Sequence, residues 1–282
     1  MGHRWMSRTD RTKPFHRITV ENAFNAVVSK AVLIEWEMED WFVDDGPWVF
    51  TVYRTQREDL LDWEQVAQVV NQSFAYDTNQ NSYGVGVRNY YKVTVTTAKL
   101  DENGDPHTYE SDALLAGNNL SRRDWRLLRE VIRKETLLLE KRTGARGWLL
   151  PFPRVGPNSS NTDPNTGEIL TSQNADDFGT GKEGGYWGPI STFVEVGPEK
   201  RITKLTTDGK ISAVIRTGVV LAYPRFYARD VWVNGMTDER FTIGANIAAT
   251  ANIRGVPIKY NVELDLVEVS NVIYQIPVPM QV

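Results

Sequence analysis

The sequence predicts a mainly β protein with one long helix, in which β domains lie on either side of the helix and of a long irregular loop. Three observations predict this fold class. Residues 18–116 consist of short strand-like runs separated by turn clusters, residues 117–145 carry a helical apolar pattern, and residues 191–282 contain strand-like runs again. The chain has 282 residues, of which 41% are hydrophobic, and this is enough for more than one folded domain.

The first segment, residues 1–17, is basic, because five Lys and Arg residues accompany a single Asp. No apolar stretch of the kind found in secretory signal peptides follows it. We therefore expect either a flexible arm or an arm that becomes ordered against a neighbouring subunit or an acidic partner.

Residues 18–116 predict a β-sandwich, because about six strand-like runs in about 100 residues are typical of that architecture. The segment also resembles a fibronectin type III module. The resemblance rests on Trp36 at the end of an early apolar strand, Tyr53 in the next strand, Tyr76-Asp77 before a loop, and the run Tyr90-Tyr91-Lys92-Val93. We expect its many aromatic side chains in the core, although they could also form a sugar-binding face.

The linking helix is predicted at residues 117–145, where Leu128, Ile132 and Leu139 follow helical spacing. Ser121 is suited to cap its beginning and Gly144 to end it. The helix is basic, so its charges form either a solvated face or a surface that packs side by side in a ring. The candidate assembly residues on this helix are Arg122, Arg126, Arg129 and Arg133.

Residues 146–190 are predicted to be an irregular loop rich in Gly, Pro, Asn, Asp and Ser. Two pairs, Asn158-x-x-Asn161 and Asn174-x-x-Asp177, flank a turn with the sequence DPNTG. Cysteine at those four positions would make the segment a zinc ribbon, but the chain contains no cysteine. We therefore interpret the four residues as degenerate ligand positions and expect no metal.

Residues 191–282 predict further strands. The clearest alternation in the chain lies in the run VPIKYNVELDL, and Pro257 near its start indicates an edge or the beginning of a strand. The residues that share its apolar face are Val256, Ile258, Tyr260, Val262, Leu264 and Leu266.

The residue types that carry catalysis are sparse, so the sequence predicts no enzyme and no cofactor. The histidines are His3, His16 and His107, which are too scattered for a triad or a metal cluster. The run GTGKEG matches a dinucleotide-binding pattern only formally, because no strand precedes it and no helical pattern follows. A net charge of −4 argues against a protein that coats nucleic acid, and no apolar run is long enough to cross a membrane.

From about residue 120 onward the chain resembles the neck proteins of tailed bacteriophages, which connect the capsid portal to the tail. The resemblance rests on the basic helix that ends at Thr143-Gly144, on the ribbon spacing, and on its glycine-rich exit through Tyr186-Trp187. It rests also on the C-terminal region, where Asp230-Val231 and a closing strand at Val272-Ile273-Tyr274 resemble the small β-barrels of connector proteins. Many relatives have cysteine at both ribbon pairs, so this chain departs from the family in lacking the thiolate ligands.

The resemblance implies a non-enzymatic virion structural protein at the head–tail junction. Such a protein forms a homo-oligomeric ring, with twelve or six copies implied by the family. Its partners would be portal, connector or tail proteins, and DNA would pass through the channel without sequence-specific binding. It also implies that Tyr186 and Trp187 are assembly candidates beside the four arginines.

Two other functions stay open from the sequence. One is an adhesin or baseplate component whose sandwich recognises host polysaccharide, and it requires exposed aromatic residues. The other is an enzyme that acts on carbohydrate or nucleic acid, and it requires clustered carboxylates in the C-terminal half. The candidate aromatic residues for the first are Trp41, Trp48, Trp63, Tyr83 and Tyr90.

Overall fold

A computed structural model describes residues 13–23, 31–39, 42, 46–78, 88–100, 104–116, 122–163, 166–206, 209–253 and 255–279. Within these ranges the chain is mainly β with one α-helix, as the sequence predicts. Most of the basic segment lies outside the described residues, and its last part, from Phe15, belongs to the first strand.

The N-terminal domain is a sandwich of two antiparallel sheets. One sheet has the strand order β1-β2-β5, and the other has the order β4-β3-β6-β7 with β8 paired to β6. This arrangement of three strands on five agrees with the predicted β-sandwich. The strands are β1 (Phe15–Ala23), β2 (Ala31–Met38), β3 (Val49–Thr55), β4 (Glu64–Val70), β5 (Phe74–Asp77), β6 (Tyr90–Leu100), β7 (Pro106–Glu110) and β8 (Leu114–Leu115).

The sandwich core is aromatic and also contains a buried ion pair. Trp36 and Phe50 lie on facing sheets with their ring centroids 5.0 Å apart. Arg54 donates to Asp77 over 2.8 Å, and the Tyr91 hydroxyl donates to the same carboxylate oxygen over 2.9 Å. These bonds join β3, β5 and β6, so they connect the two sheets through a satisfied polar group rather than through apolar contact alone.

The helix α1 (Arg122–Leu138) follows the sandwich and continues as a π-helical turn (Leu139–Thr143). Gly144 ends it as predicted, and its N–H donates to the Leu139 carbonyl oxygen over 2.8 Å. Leu128 and Ile132 are buried against two residues of the C-terminal domain, Val256 and Ile258, so the predicted apolar face fixes the helix to that domain. The predicted cap, Ser121, lies outside the described residues.

The C-terminal domain is a closed six-stranded antiparallel barrel. Its strand order is β10-β11-β14-β13-β12-β9, and β9 pairs with β10 to close it. Trp232, Phe241 and Leu264 are fully buried in its core. The strands are β9 (Ala145–Leu150), β10 (Ile190–Thr206), β11 (Gly209–Leu221), β12 (Val231–Asn234), β13 (Arg240–Ile253) and β14 (Val256–Leu266).

Two sequence-based expectations about this domain need correction. The first residues of the predicted loop form β9, because pairing with both β10 and β12 supplies the backbone partners that close the barrel. The predicted closing strand at Val272 is instead a 3-10 turn (Val272–Gln275), which Asn271 caps by accepting from the Ile273 N–H over 2.9 Å. None of the helices in the described ranges is long and apolar enough to cross a membrane.

Candidate functional site

The loop between β9 and β10, residues 151–189, has little regular structure, but its segments are joined to one another by hydrogen bonds. Two isolated antiparallel bridges join Asn158 to Lys182 and Thr162 to Ile169. The Ser159 N–H also donates to the Gly181 carbonyl oxygen over 3.0 Å. The start of the loop therefore pairs with its end.

Asp177 is the centre of this loop. Its side chain is fully buried, and its Oδ2 accepts from Ser159 Oγ at 2.5 Å, from Asn161 Nδ2 at 3.1 Å and from the Gly181 N–H at 3.1 Å. Its Oδ1 accepts from the Gly179 N–H at 2.9 Å. These donors replace the hydrogen bonds that the carboxylate would make to water if it were exposed. The network can therefore hold the loop together in the place of a metal.

Asn161 connects this centre to the far side of the loop. Its Oδ1 accepts from the Thr171 N–H over 3.0 Å, and its Nδ2 donates to the Thr171 carbonyl oxygen over 2.7 Å. The bond from Thr171 N–H orients the amide so that its NH₂ group faces Asp177. An NH₂ group is a hydrogen-bond donor and has no free electron pair for zinc, so this position does not fit a metal ligand.

The other two degenerate positions make separate contacts. Asn158 accepts from Lys182 Nζ over 2.8 Å, and that ammonium also donates to the Gly156 carbonyl oxygen over 3.0 Å. Asn174 caps a local turn by accepting from the Asp176 N–H over 2.8 Å. The structure thus brings Asn161 and Asp177 together and uses Asn158 and Asn174 at the periphery. Within the described ranges no group of three or more His, Asp or Glu residues could hold a metal ion.

Glycines at the exit of the loop are required by close backbone approach. Gly179 has a φ of +72°, and a Cβ there would lie 2.5 Å from the Ser172 carbonyl oxygen. Gly181 has a φ of +74°, and a Cβ there would lie 2.8 Å from the Ile169 side chain. Both glycines present their N–H groups to Asp177, so the glycine-rich run in the sequence serves the hydrogen-bond network rather than a phosphate.

The exit of the loop also joins the two domains. Trp187 packs on Phe74 of β5, with the ring centroids 5.5 Å apart, and contacts the sandwich core. Tyr186 packs on Phe152 beside the barrel strands, with the ring centroids 6.0 Å apart. Burial raises the pKa of Tyr186 to about 12. Within one chain Trp187 therefore packs against the sandwich, and Tyr186 packs on the barrel side.

A polar cleft of about 160 Å³ lies in the seam between sandwich and barrel. Arg225, from the connection between β11 and β12, donates to Glu21 of β1 over 2.7 Å and lies 3.4 Å from Glu35 of β2. The Arg154 guanidinium stacks on the ring of Tyr227 at 3.8 Å. Burial raises the pKa of Glu35 to about 7, an effect that the positive charge of Arg225 partly offsets and the negative charge of Glu21 increases.

The buried carboxyl group of Asp230 supports this seam from the barrel side. It accepts from the Phe152 N–H over 2.9 Å and from the Tyr227 N–H over 2.7 Å, so it fixes the two segments that carry Arg154 and Tyr227. Burial raises the pKa of Asp230 to about 8, although the Phe152 N–H and the charge of Arg154 oppose the rise. Sequence patterns gave no signal for this seam, because its members come from strands and loops far apart in the chain.

The arginines predicted for assembly lie on α1. Arg126, Arg129 and Arg133 are exposed, and for Arg122 the structure describes only the backbone position. Spacings of four, three and four residues place the four on one side of a helix with about 100° per residue. Leu127 and Leu138 are 53% and 43% exposed. The exposed surface of α1 therefore carries a row of arginines, and the partly exposed Leu127 and Leu138 lie on another side of the helix.

No family model matches this chain, and no curated protein matches it.

Proposed function

We propose that this chain is a structural protein of a tailed-phage virion that forms a ring at the head–tail junction and joins the capsid portal to the tail. The observation that carries the proposal is the surface of α1. Arg126, Arg129 and Arg133 are exposed along a helix that Leu128 and Ile132 fix to the barrel. A row of guanidinium groups on a rigid helix suits repeated contacts with carboxylates of a neighbouring copy.

Two further features support this proposal. The C-terminal region forms a closed barrel, which is the architecture implied by the resemblance to neck proteins. The ribbon-like loop is held by its own hydrogen bonds around Asp177, so it can serve as a rigid part of a ring without the metal that the cysteine-containing ribbons of the neck proteins it resembles would hold. In this proposal the partners are other copies, portal, connector and tail proteins, and DNA passes through the channel without sequence-specific contacts.

Recognition of host polysaccharide by the sandwich, as an adhesin or baseplate component, is the alternative. Trp48 is buried at 5% exposure, and Trp63 and Tyr90 are partly buried. The ammonium group of Lys92 covers the Trp63 ring at 4.5 Å from its centroid. Trp41 and Tyr83 lie outside the described residues. The described aromatic residues therefore favour the structural proposal over a sugar-binding face.

Imaging of the intact particle by cryo-electron microscopy tests the proposal. We expect a ring of this chain between capsid and tail, with α1 at the contact between adjacent copies. A chain found only as a monomer at the distal tip of the tail would overturn the proposal.

Charge reversal on α1 tests whether its arginines contact the neighbouring copy. We expect Arg126→Glu combined with Arg129→Glu and Arg133→Glu to prevent ring formation, as measured by native mass spectrometry. The matched control is Arg142→Glu, which changes an exposed arginine in the π-helical turn outside this row. Rings that persist in the triple variant would contradict the assignment of the arginine row.

A further inference from the structure

Among the residues that the structure describes, one edge of the barrel strand β13 is largely unpaired. β12 has four residues and pairs with β13 only through Arg240, Phe241 and Thr242. The next residue, Ile243, still bonds to the segment before β12, because its N–H donates to the Asp230 carbonyl oxygen over 2.8 Å. Beyond Ile243, β13 pairs only with β14 among the described residues, through residues 247–249 and 251–253.

This edge has β-bulges after Ile243 and after Ala249, but it lacks the charged residues and prolines that also protect edge strands. Residues 244–253 have the sequence GANIAATANI, which contains no charge and no proline. Within it Ala245, Asn246, Ala248, Ala249 and Thr250 are exposed. The edge is therefore open to pairing with another extended segment through backbone hydrogen bonds.

The same chain provides such a segment. β10 pairs with β9 only as far as Val194, and β11 pairs with β14 only from Ile215 onward. The six pairs from Arg201↔Val214 to Thr206↔Gly209 therefore form a two-stranded ribbon beyond the barrel. At about 3.3 Å per residue the ribbon is about 20 Å long. A two-stranded ribbon is at best marginally stable in water and gains stability from a third strand.

One chain cannot pair its own ribbon with its own free edge. The ribbon leaves the barrel near Asp265, at the end of β14 that pairs with Ile215. The free edge of β13 extends toward Val256, at the other end of β14, where Ile253 pairs with it. The edge that pairs with Val262, Asn261 and Tyr260 begins about 10 Å along β14 from Asp265, but it lies on the other side of β14 and runs away from the ribbon. Two different surfaces that point in opposite directions suit head-to-tail contacts between copies, which close into a ring when the rotation allows it.

We propose that the ribbon of residues 201–214 pairs with the free edge of β13 in a second copy of this chain, at residues 244–250. The barrels of successive copies then share one continuous sheet. This inference rests on the proposed ring function and specifies a contact through which adjacent subunits bind.

Two variants test the contact from its two sides. In the first, Asn-Gly replaces residues 202–213, so that a two-residue turn closes the hairpin between Arg201 and Val214, which already pair. In the second, Ala248→Lys adds a charge to the exposed part of the edge. The matched control is Asn261→Lys, because Asn261 is exposed, pairs with Ala248 and lies on β14, which has a strand on both sides.

The assembly state is measured by native mass spectrometry, and folding of each variant is checked by its thermal melting curve. We expect the wild type and Asn261→Lys to form closed oligomers, and each test variant to be a folded monomer. A mixture of the two test variants should give a heterodimer and nothing larger, because only one intact ribbon and one intact edge are then available.

The other outcomes overturn the inference. Oligomers that persist in the ribbon variant, with Ala248→Lys monomeric, would indicate a symmetric contact between two β13 edges. Oligomers that persist in both variants would indicate a contact elsewhere, and a ring in the particle would then still support the proposed function. A wild type that stays monomeric refutes the inference, and the position of the chain in the particle decides the proposed function separately.

Discussion

Asp177→Asn is the substitution that tests how the loop is held without a metal. The variant keeps the size of the side chain, but one of its two oxygens becomes an NH₂ group. The remaining oxygen will take the place of Oδ2, because three donors converge there, from Ser159, Asn161 and Gly181. The Gly179 N–H then faces another donor and loses its acceptor.

The size of the expected loss in free energy of unfolding follows from these hydrogen bonds. A buried donor without a partner costs about 1–3 kcal/mol, and three hydrogen bonds that were made to a charged group become weaker neutral ones. We therefore expect Asp177→Asn to lower the free energy of unfolding by about 2–4 kcal/mol. Urea denaturation followed by tryptophan fluorescence measures this loss, since Trp187 lies at the exit of the loop. The rate of limited proteolysis in residues 156–181 should rise with it.

The matched control is Asp176→Asn at the adjacent exposed position. It removes the same charge from the same turn, and we expect its free energy of unfolding to stay within about 0.5 kcal/mol of the wild type. If Asp177→Asn lowered the free energy of unfolding as little as Asp176→Asn, the Asp177 carboxylate would not be the structural centre of the loop. The explanation that hydrogen bonds to Asp177 hold the loop without a metal would then be refuted.

Three further predictions concern the loop and the seam. Addition of zinc or of a chelator should leave the melting temperature unchanged, because the Asn161 amide presents a donor to the centre of the loop; stoichiometric zinc in the purified protein would contradict this. The raised pKa of Glu35 means that folding favours its neutral form, so Glu35 contributes stability near pH 5 that falls by about 1–2 kcal/mol toward pH 7. Glu35→Gln should remove this part of the slope, while the raised pKa of Asp230 keeps a fall in the same direction; an unchanged slope would exclude a contribution from Glu35. Trp187→Ala should cost about 2–4 kcal/mol in urea denaturation because it removes a ring packed against the sandwich, whereas Leu170→Ala, at 66% exposure in the same loop, should be nearly neutral.

Local periodicity was sufficient for the elements that bury one face. The spacing of Leu128 and Ile132 predicted α1, and the alternation in residues 256–266 predicted β14, because burial of a single face leaves a period in the sequence. Periodicity did not predict β9. It is short, and Gly147 in its middle approaches the Val233 carbonyl oxygen so closely that a Cβ would lie 2.2 Å from it. Its pairing with β10 and β12, rather than its own composition, makes it a strand.

The ribbon spacing predicted some features of the candidate site but not the contacts of each residue. Spacing alone singled out four polar residues as degenerate ligand positions of one ribbon, and the structure places two of them, Asn161 and Asp177, in contact. The spacing did not distinguish Asn161, which bonds to Asp177, from Asn158 and Asn174, which bond elsewhere. The direction of each side chain depends on the backbone of the facing segment, and that is a tertiary property.

By itself, the sequence determined that this chain is a β protein with one amphipathic helix and a polar loop without thiolate ligands. Only the tertiary structure decided which residues form the seam, since Glu35 and Arg225 are 190 positions apart and meet through the docking of two domains. It also decided that the barrel closes through β9 and leaves β13 with a free edge. The physical reason is that periodicity reports whether a residue is buried, whereas strand order and domain docking determine which other residue it meets.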